Sequence, residues 1–104
     1  MHLYDRYFRV LASGKKNIEV RVLYPKFSEL ASGDFIRFDS EAGVCLARVK
    51  RATAYESFDQ LLDAEEPARI DPEASRQQQL VNLRRIYSPE KEALGVLAIE
   101  VELT

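Results

Sequence analysis

The sequence predicts an α+β domain: a small curled sheet or barrel of mostly antiparallel strands with helices inserted between them. Three observations carry this. Apolar residues alternate with period two in runs at 18–23, 35–39, 44–54 and 96–103. Segments of helical period stand before the first run and between the third and fourth. Turn signals short enough for hairpins join the middle runs. At 104 residues and 46% apolar content the chain is the size of one compact domain with a core of its own, read as residues 1–104.

Leu3 to Ser13 reads as a helix because Leu3, Tyr7, Val10 and Leu11 recur at helical spacing. Gly14 follows as a left-handed cap. Ile18 to Leu23 is the first strand, ended by Tyr24-Pro25, and Pro25 to Leu30 holds a short helical turn. Ser32-Gly33-Asp34 is a turn into the second strand, Phe35 to Asp39. Phe35, Arg37 and Asp39 share one face of that strand, and Ile36 and Phe38 the other. Glu41-Ala42-Gly43 makes a hairpin into Val44 to Ala54, where Cys45, Ala47 and Val49 form an apolar face opposite Leu46, Arg48 and Lys50. Ser57 opens a helix with Phe58, Leu61 and Leu62, and residues 65–72, with two prolines, read as a surface loop. Glu73 to Ile86 is a longer helix whose stripe of Leu80 and Leu83, continued by Tyr87, belongs to the core. Ser88-Pro89-Glu90 starts a short helix ending at Gly95. Val96 to Leu103 closes the fold as a strand, with Glu100 and Glu102 expected on an outer face.

Composition removes several function classes. No apolar run approaches the roughly 20 residues that cross a bilayer, and Met1-His2-Leu3-Tyr4-Asp5-Arg6 lacks the apolar block of a secretory signal. The single cysteine, Cys45, forms no intrachain disulfide, is expected as a small core residue, and fits a reducing, cytoplasmic location. One histidine and one cysteine cannot build a His/Cys zinc site, so neither metal nor cofactor is expected. The net charge of −2 argues against indiscriminate nucleic-acid binding. Its distribution is uneven: residues 1–51 hold ten Lys and Arg against six Asp and Glu, whereas 52–104 hold five against eleven. A local positive surface on the first half is the functional reading; solvated charges that fell unevenly are the bland one.

The basic half contains the most informative stretch, Gly14-Lys15-Lys16-Asn17-Ile18-Glu19-Val20-Arg21. On a strand, Ile18, Val20 and Val22 point to a core, while Glu19 and Arg21 point together to the other face. Lys16, just before the strand, reaches the same spot. One carboxylate and two cations make a candidate anion site, against the plainer possibility of Glu19 and Arg21 pairing across one pleat.

The spacing G-x-K-x-x-E-x-R in Gly14, Lys16, Glu19 and Arg21 resembles the signature of the ASCH domain. That family belongs to the pseudouridine-synthase-and-archaeosine-transglycosylase-like (PUA-like) barrels. Gly33-Asp34-Phe35-Ile36-Arg37-Phe38, Tyr55-Glu56-Ser57-Phe58, Ile86-Tyr87-Ser88 and Gly95-Val96-Leu97-Ala98-Ile99-Glu100 extend the resemblance over most of the chain. It implies a small PUA-like β-barrel with a cleft lined by the octet, and a link to RNA. Some relatives are enzymes: one branch hydrolyses the acetyl amide of N4-acetylcytidine, and another type is described as a ribonuclease.

Three readings of the cleft follow. In the first, RNA, single-stranded or structured, or a nucleotide-like ligand binds without chemistry. Lys16 and Arg21 take a phosphate, Lys15, Lys26, Arg48, Lys50 and Arg51 extend the track, and Tyr4, Phe8 or Tyr24 stacks on bases. In the second, a metal-independent ribonuclease uses Glu19 as base, Lys16 and Arg21 as phosphate clamp, and Tyr24 or Tyr87 as further donor; His2, at the terminus, is a poor candidate. In the third, the acetylcytidine amidohydrolase, Lys16 matches that branch's lysine, but Glu19 stands where its threonine is expected, and a carboxylate does not replace a hydroxyl nucleophile. Thr53 and Ser57 lie outside any motif match. The candidate binding set is Gly14, Lys15, Lys16, Glu19, Arg21, Tyr24, Lys26, Arg48, Lys50, Tyr87 and Ser88, with Lys16, Glu19 and Arg21 the catalytic set if the protein is an enzyme. No membrane partner is expected, and the sequence names no protein partner.

Overall fold

A computed structural model describes residues 1–104. Its centre is a curled four-stranded antiparallel sheet in the order β1-β4-β3-β2, a half-barrel whose edges are β1 and β2. The strands are β1 (Ile18–Val22), β2 (Phe35–Ser40), β3 (Gly43–Tyr55) and β4 (Val96–Leu103). The helices are α1 (Asp5–Ala12), α2 (Phe58–Ala64), α3 (Pro67–Ile70), α4 (Arg76–Ile86) and α5 (Pro89–Glu92), with a 3-10 turn at Pro25–Phe27.

Both faces of the sheet carry core. On one, Leu3, Phe8 and Leu11 pack on Ile36, Phe38, Ala47, Val49, Leu97, Ile99 and Val101. On the other, Phe58, Leu61, Leu62, Ile70 and Leu80 pack on Ile18, Val20, Val22, Val96 and Ala98. The last strand supplies both clusters, so its apolar residues run nearly unbroken from Val96 to Ile99, as a strand covered on two sides requires. Cys45 is half-buried against the first cluster, and burial pushes its thiol pKa up, consistent with a packing role.

Three elements and one side chain differ from the sequence reading. The first helix starts at Asp5, because residues 1–3 instead run beside the edge of β2: Leu3 N–H donates to Asp39 O, and Asp39 N–H to Met1 O. Phe8, read as a possible stacking residue, is buried in the core. The segment read as a loop contains α3, started by Pro67, whose missing N–H costs nothing at a first helical position. The fourth helix starts at Arg76 because the Ser75 hydroxyl accepts Gln78 N–H, a better cap than any residue near Glu73.

The largest departure lies in β3. A bulge between Val49 and Arg51 shifts the register against β4. Unbroken alternation would put Arg51 on the apolar face with Val49; the extra residue turns it to the opposite face, across from Glu100. There Arg51 meets Glu65 at 2.5 Å and Glu100 at 2.8 Å. Arg69 and Lys50 also reach Glu100. Glu100 is therefore held in a partly buried ion cluster rather than decorating an outer face. Burial disfavours its charge, but Arg51 and Arg69 outweigh that and hold its carboxyl below the usual range.

Candidate functional site

The octet forms one local device. Gly14 ends α1 in the left-handed conformation, φ +84°, and its N–H donates to Leu11 O. The chain then reverses so that Lys16 N–H reaches Val10 O before β1 begins. Lys16 is not a free cation. Its ammonium donates to Ile18 O at 2.7 Å and to Ile70 O at 2.9 Å, and lies 3.1 Å from Glu19 Oε1. The residue is 3% exposed, and the ring of Tyr7 lies 6.0 Å away. Three acceptors match the three N–H bonds of an ammonium, so Lys16 ties the start of β1 to the end of α3.

Glu19 is equally occupied. It is 7% exposed, with Oε1 beside Lys16 and Oε2 accepting Arg21 Nε at 2.8 Å. Burial disfavours its charge, yet the two cations overcome this and hold the carboxyl below the ordinary glutamate range. Arg21 Nη2 donates to His2 O at 2.8 Å and also meets Glu19. Arg21 Nη1 has no protein acceptor, so one edge of this half-buried guanidinium stays available.

These groups border a cavity of about 350 Å³ at the free edge of β1, between the N-terminal segment and α4. Tyr4, Tyr7, Tyr87 and His2 line it with Leu83 and Ile86. Tyr4 is 67% exposed. Tyr87 packs on Phe58, with ring centroids 5.7 Å apart, and burial raises its phenol pKa. At the inner wall, Asp71 is buried and bound by Arg6 at 3.0 Å. Gln79 donates to the carbonyls of Pro67, Asp71 and Ala74, which leaves its Oε1 as a buried acceptor without a protein donor.

Of the predicted residues, Lys16, Glu19, Arg21 and Tyr87 meet at this cavity. Gly14 shapes the approach and, with Lys50, borders a smaller polar cleft on the other side of Lys16. Lys15 is exposed and outside the cavity. Lys26 lies over the Phe27 ring at 5.1 Å. Arg48 is bound to Glu102 and Lys50 to Glu100. Tyr24 packs against the second core cluster, and the Ser88 hydroxyl caps α5. The predicted track of free cations is thus largely internal pairing. Arg6, Arg48, Lys50 and Arg51 of the basic half bind Asp71, Glu73, Glu102, Glu100 and Glu65 of the acidic half. Part of the uneven charge of the sequence is thus answered by ion pairs between its two halves.

Thr53 and Ser57 also have structural occupations: Thr53 Oγ1 accepts from Arg51, and the Ser57 hydroxyl caps α2. Sequence reasoning missed Tyr7, Asp71, Gln79 and Ile70, which arrive from distant segments, and set His2 aside. The pairing of residues 1–3 with β2 holds His2 at the cavity rim, its Nδ1 3.0 Å from Asp39. No cluster of three or more His, Cys, Asp or Glu side chains stands in metal-ligating geometry.

Comparison with known proteins agrees with the fold and with the family resemblance. The ASCH domain family model matches residues 1–104. The crystal structure of hypothetical protein PH0355 superposes with a TM-score of 0.91 at 33% identity, covering 100% of this chain and 96% of that one. The solution NMR structure of protein PF0455 from Pyrococcus furiosus gives a TM-score of 0.76 at 32% identity, covering 99% and 97%. No functionally curated protein matches the sequence. With the family model spanning the chain and two full-length structural relatives sharing its curled sheet, this protein belongs to the ASCH domain family and has the PUA-like fold.

Proposed function

We propose that this ASCH domain binds a nucleotide-like ligand, an unpaired RNA base or a free nucleotide, in the cavity at the β1 edge, and that the octet builds this site rather than performing chemistry. One observation carries the reading. The charges that the octet brings to the cavity, those of Lys16, Glu19 and Arg21, are spent on each other and on backbone carbonyls, except for Arg21 Nη1, on a residue that borders a cavity lined by three tyrosines. About 350 Å³ is within the size range of small-molecule sites and admits one nucleoside rather than a folded RNA surface. Tyrosine faces suit a base of any sequence, and a guanidinium edge suits a phosphate or carbonyl oxygen.

The same geometry weighs against the ribonuclease reading. A general base needs a pKa near the working pH and must reach the proton it abstracts. Glu19 has both oxygens engaged by cations and a pKa held low.

The test is a titration of the protein with the four ribonucleoside monophosphates and with a short single-stranded RNA, followed by tyrosine fluorescence and gel mobility. Saturable binding weakened by Arg21→Ala, with the RNA left at full length, supports the proposal. Shortened RNA that depends on Glu19 would replace it with the nuclease reading. Absence of binding to every probe would reject it.

A further inference from the structure

Glu19 and Arg21 project from one face of β1 and Val20 from the other, yet all three line one cavity. A cavity borders both faces of a strand only across that strand's edge. The partner of β1 is β4, and its other side is unpaired. The ladder has a fixed phase: Leu23 N–H donates to Gly95 O, and Val101 N–H to Asn17 O. With the register Val20 to Ala98, odd-numbered residues of β1 make the ladder bonds, and Ile18, Val20 and Val22 turn their amides outward.

Two of the outward carbonyls are taken. Ile18 O accepts from Lys16 Nζ, and Val22 O accepts from Tyr24 N–H. Val20, 6% exposed, keeps an N–H and a C=O with no protein partner, both on the cavity side. A buried donor and acceptor are costly to leave unmade, and their place in a cavity wall marks them for a ligand.

We propose that Val20 N–H and C=O dock the hydrogen-bonding edge of a nucleobase, an adjacent acceptor and donor, with Tyr4 and Tyr87 as the neighbouring aromatic surfaces. The inference rests on the nucleotide-binding reading above and specifies how that site recognises its ligand. Two consequences follow from the chemistry. Each unmodified base carries an adjacent acceptor and donor on its pairing edge, so the strand edge selects for a free pairing edge rather than for one base. A base inside a duplex has spent that edge on its partner, so the site takes unpaired nucleotides.

The experiment is an amide-resolved NMR titration of the whole protein with uridine and cytidine, beside 3-methyluridine and N4,N4-dimethylcytidine, which lack the donor. The expected result is that the Val20 amide is among the most shifted resonances, and that the alkylated nucleosides bind about tenfold or more weakly, the loss of one buried hydrogen bond. Equal binding of parent and alkylated nucleosides, with Val20 unmoved while Tyr4 and Arg21 shift, would overturn the edge docking and leave nucleotide binding standing. No shift at any cavity residue with any of the four would overturn both.

Discussion

Lys16→Met tests whether the octet's lysine is a structural group or a ligand-facing cation. The side chain is 3% exposed, and its ammonium serves Ile18 O, Ile70 O and Glu19. Methionine keeps much of the volume but strands two carbonyls and reduces a buried carboxylate to one cation. Breaking one partner of a buried ion pair costs about 3–5 kcal/mol, a large part of the roughly 5–15 kcal/mol by which domains are stable. At a urea slope of about 1.5 kcal/mol/M, the unfolding midpoint should fall by roughly 2–3 M. Lys16→Met/Glu19→Met removes both charges and should recover at least half of the loss, because well-packed apolar replacements of buried pairs are often neutral.

The pH dependence carries a second check. Glu19 has a folded pKa below its ordinary 4.5, so the stability it contributes is present above that value and is lost as pH falls through the lower, folded pKa. In Lys16→Met the remaining cation holds the carboxyl less firmly, so acid destabilisation should begin at higher pH. A single variant within about 1 kcal/mol of the parent in urea, or a double variant no better than the single, would refute the structural assignment of Lys16.

Four further outcomes are expected. Arg21→Ala should weaken nucleotide binding about tenfold to a hundredfold, the worth of a hydrogen bond from a charged donor, measured by fluorescence titration. Lys15→Ala, Lys26→Ala and Arg48→Ala should each leave the dissociation constant for a mononucleotide within about twofold, since none borders the cavity; a larger change would restore the surface track. Gly14→Ala meets open space but must adopt φ +84°, so thermal unfolding should show a loss of about 1 kcal/mol with ligand affinity unchanged. Glu65→Ala removes the acceptor of both Arg51 and Tyr55, and should cost about 2–3 kcal/mol after allowance for the part-exposed guanidinium.

Several parts of this protein follow from sequence alone. Period-two alternation of apolar residues in Ile18 to Val22 and Phe35 to Asp39 located strands, because the pleat sends successive side chains to opposite faces. Ser57, Ser88 and Pro89 marked helix starts, because capping is decided within three or four residues. The octet announced both a family and a clustered site for the same reason: Glu19 and Arg21 share a strand face, and Lys16 is within reach. Tertiary structure decided the partners of those groups. Ile70 O closes the Lys16 ammonium from a segment 54 residues away, and no local pattern encodes it. A one-residue bulge at Lys50 turned Arg51 from the core face to Glu65, since register is set by pairing with β4 rather than by the strand itself. Charges of the basic and acidic halves pair for the same reason: sequence counts charges, but only the packed chain shows which of them face one another.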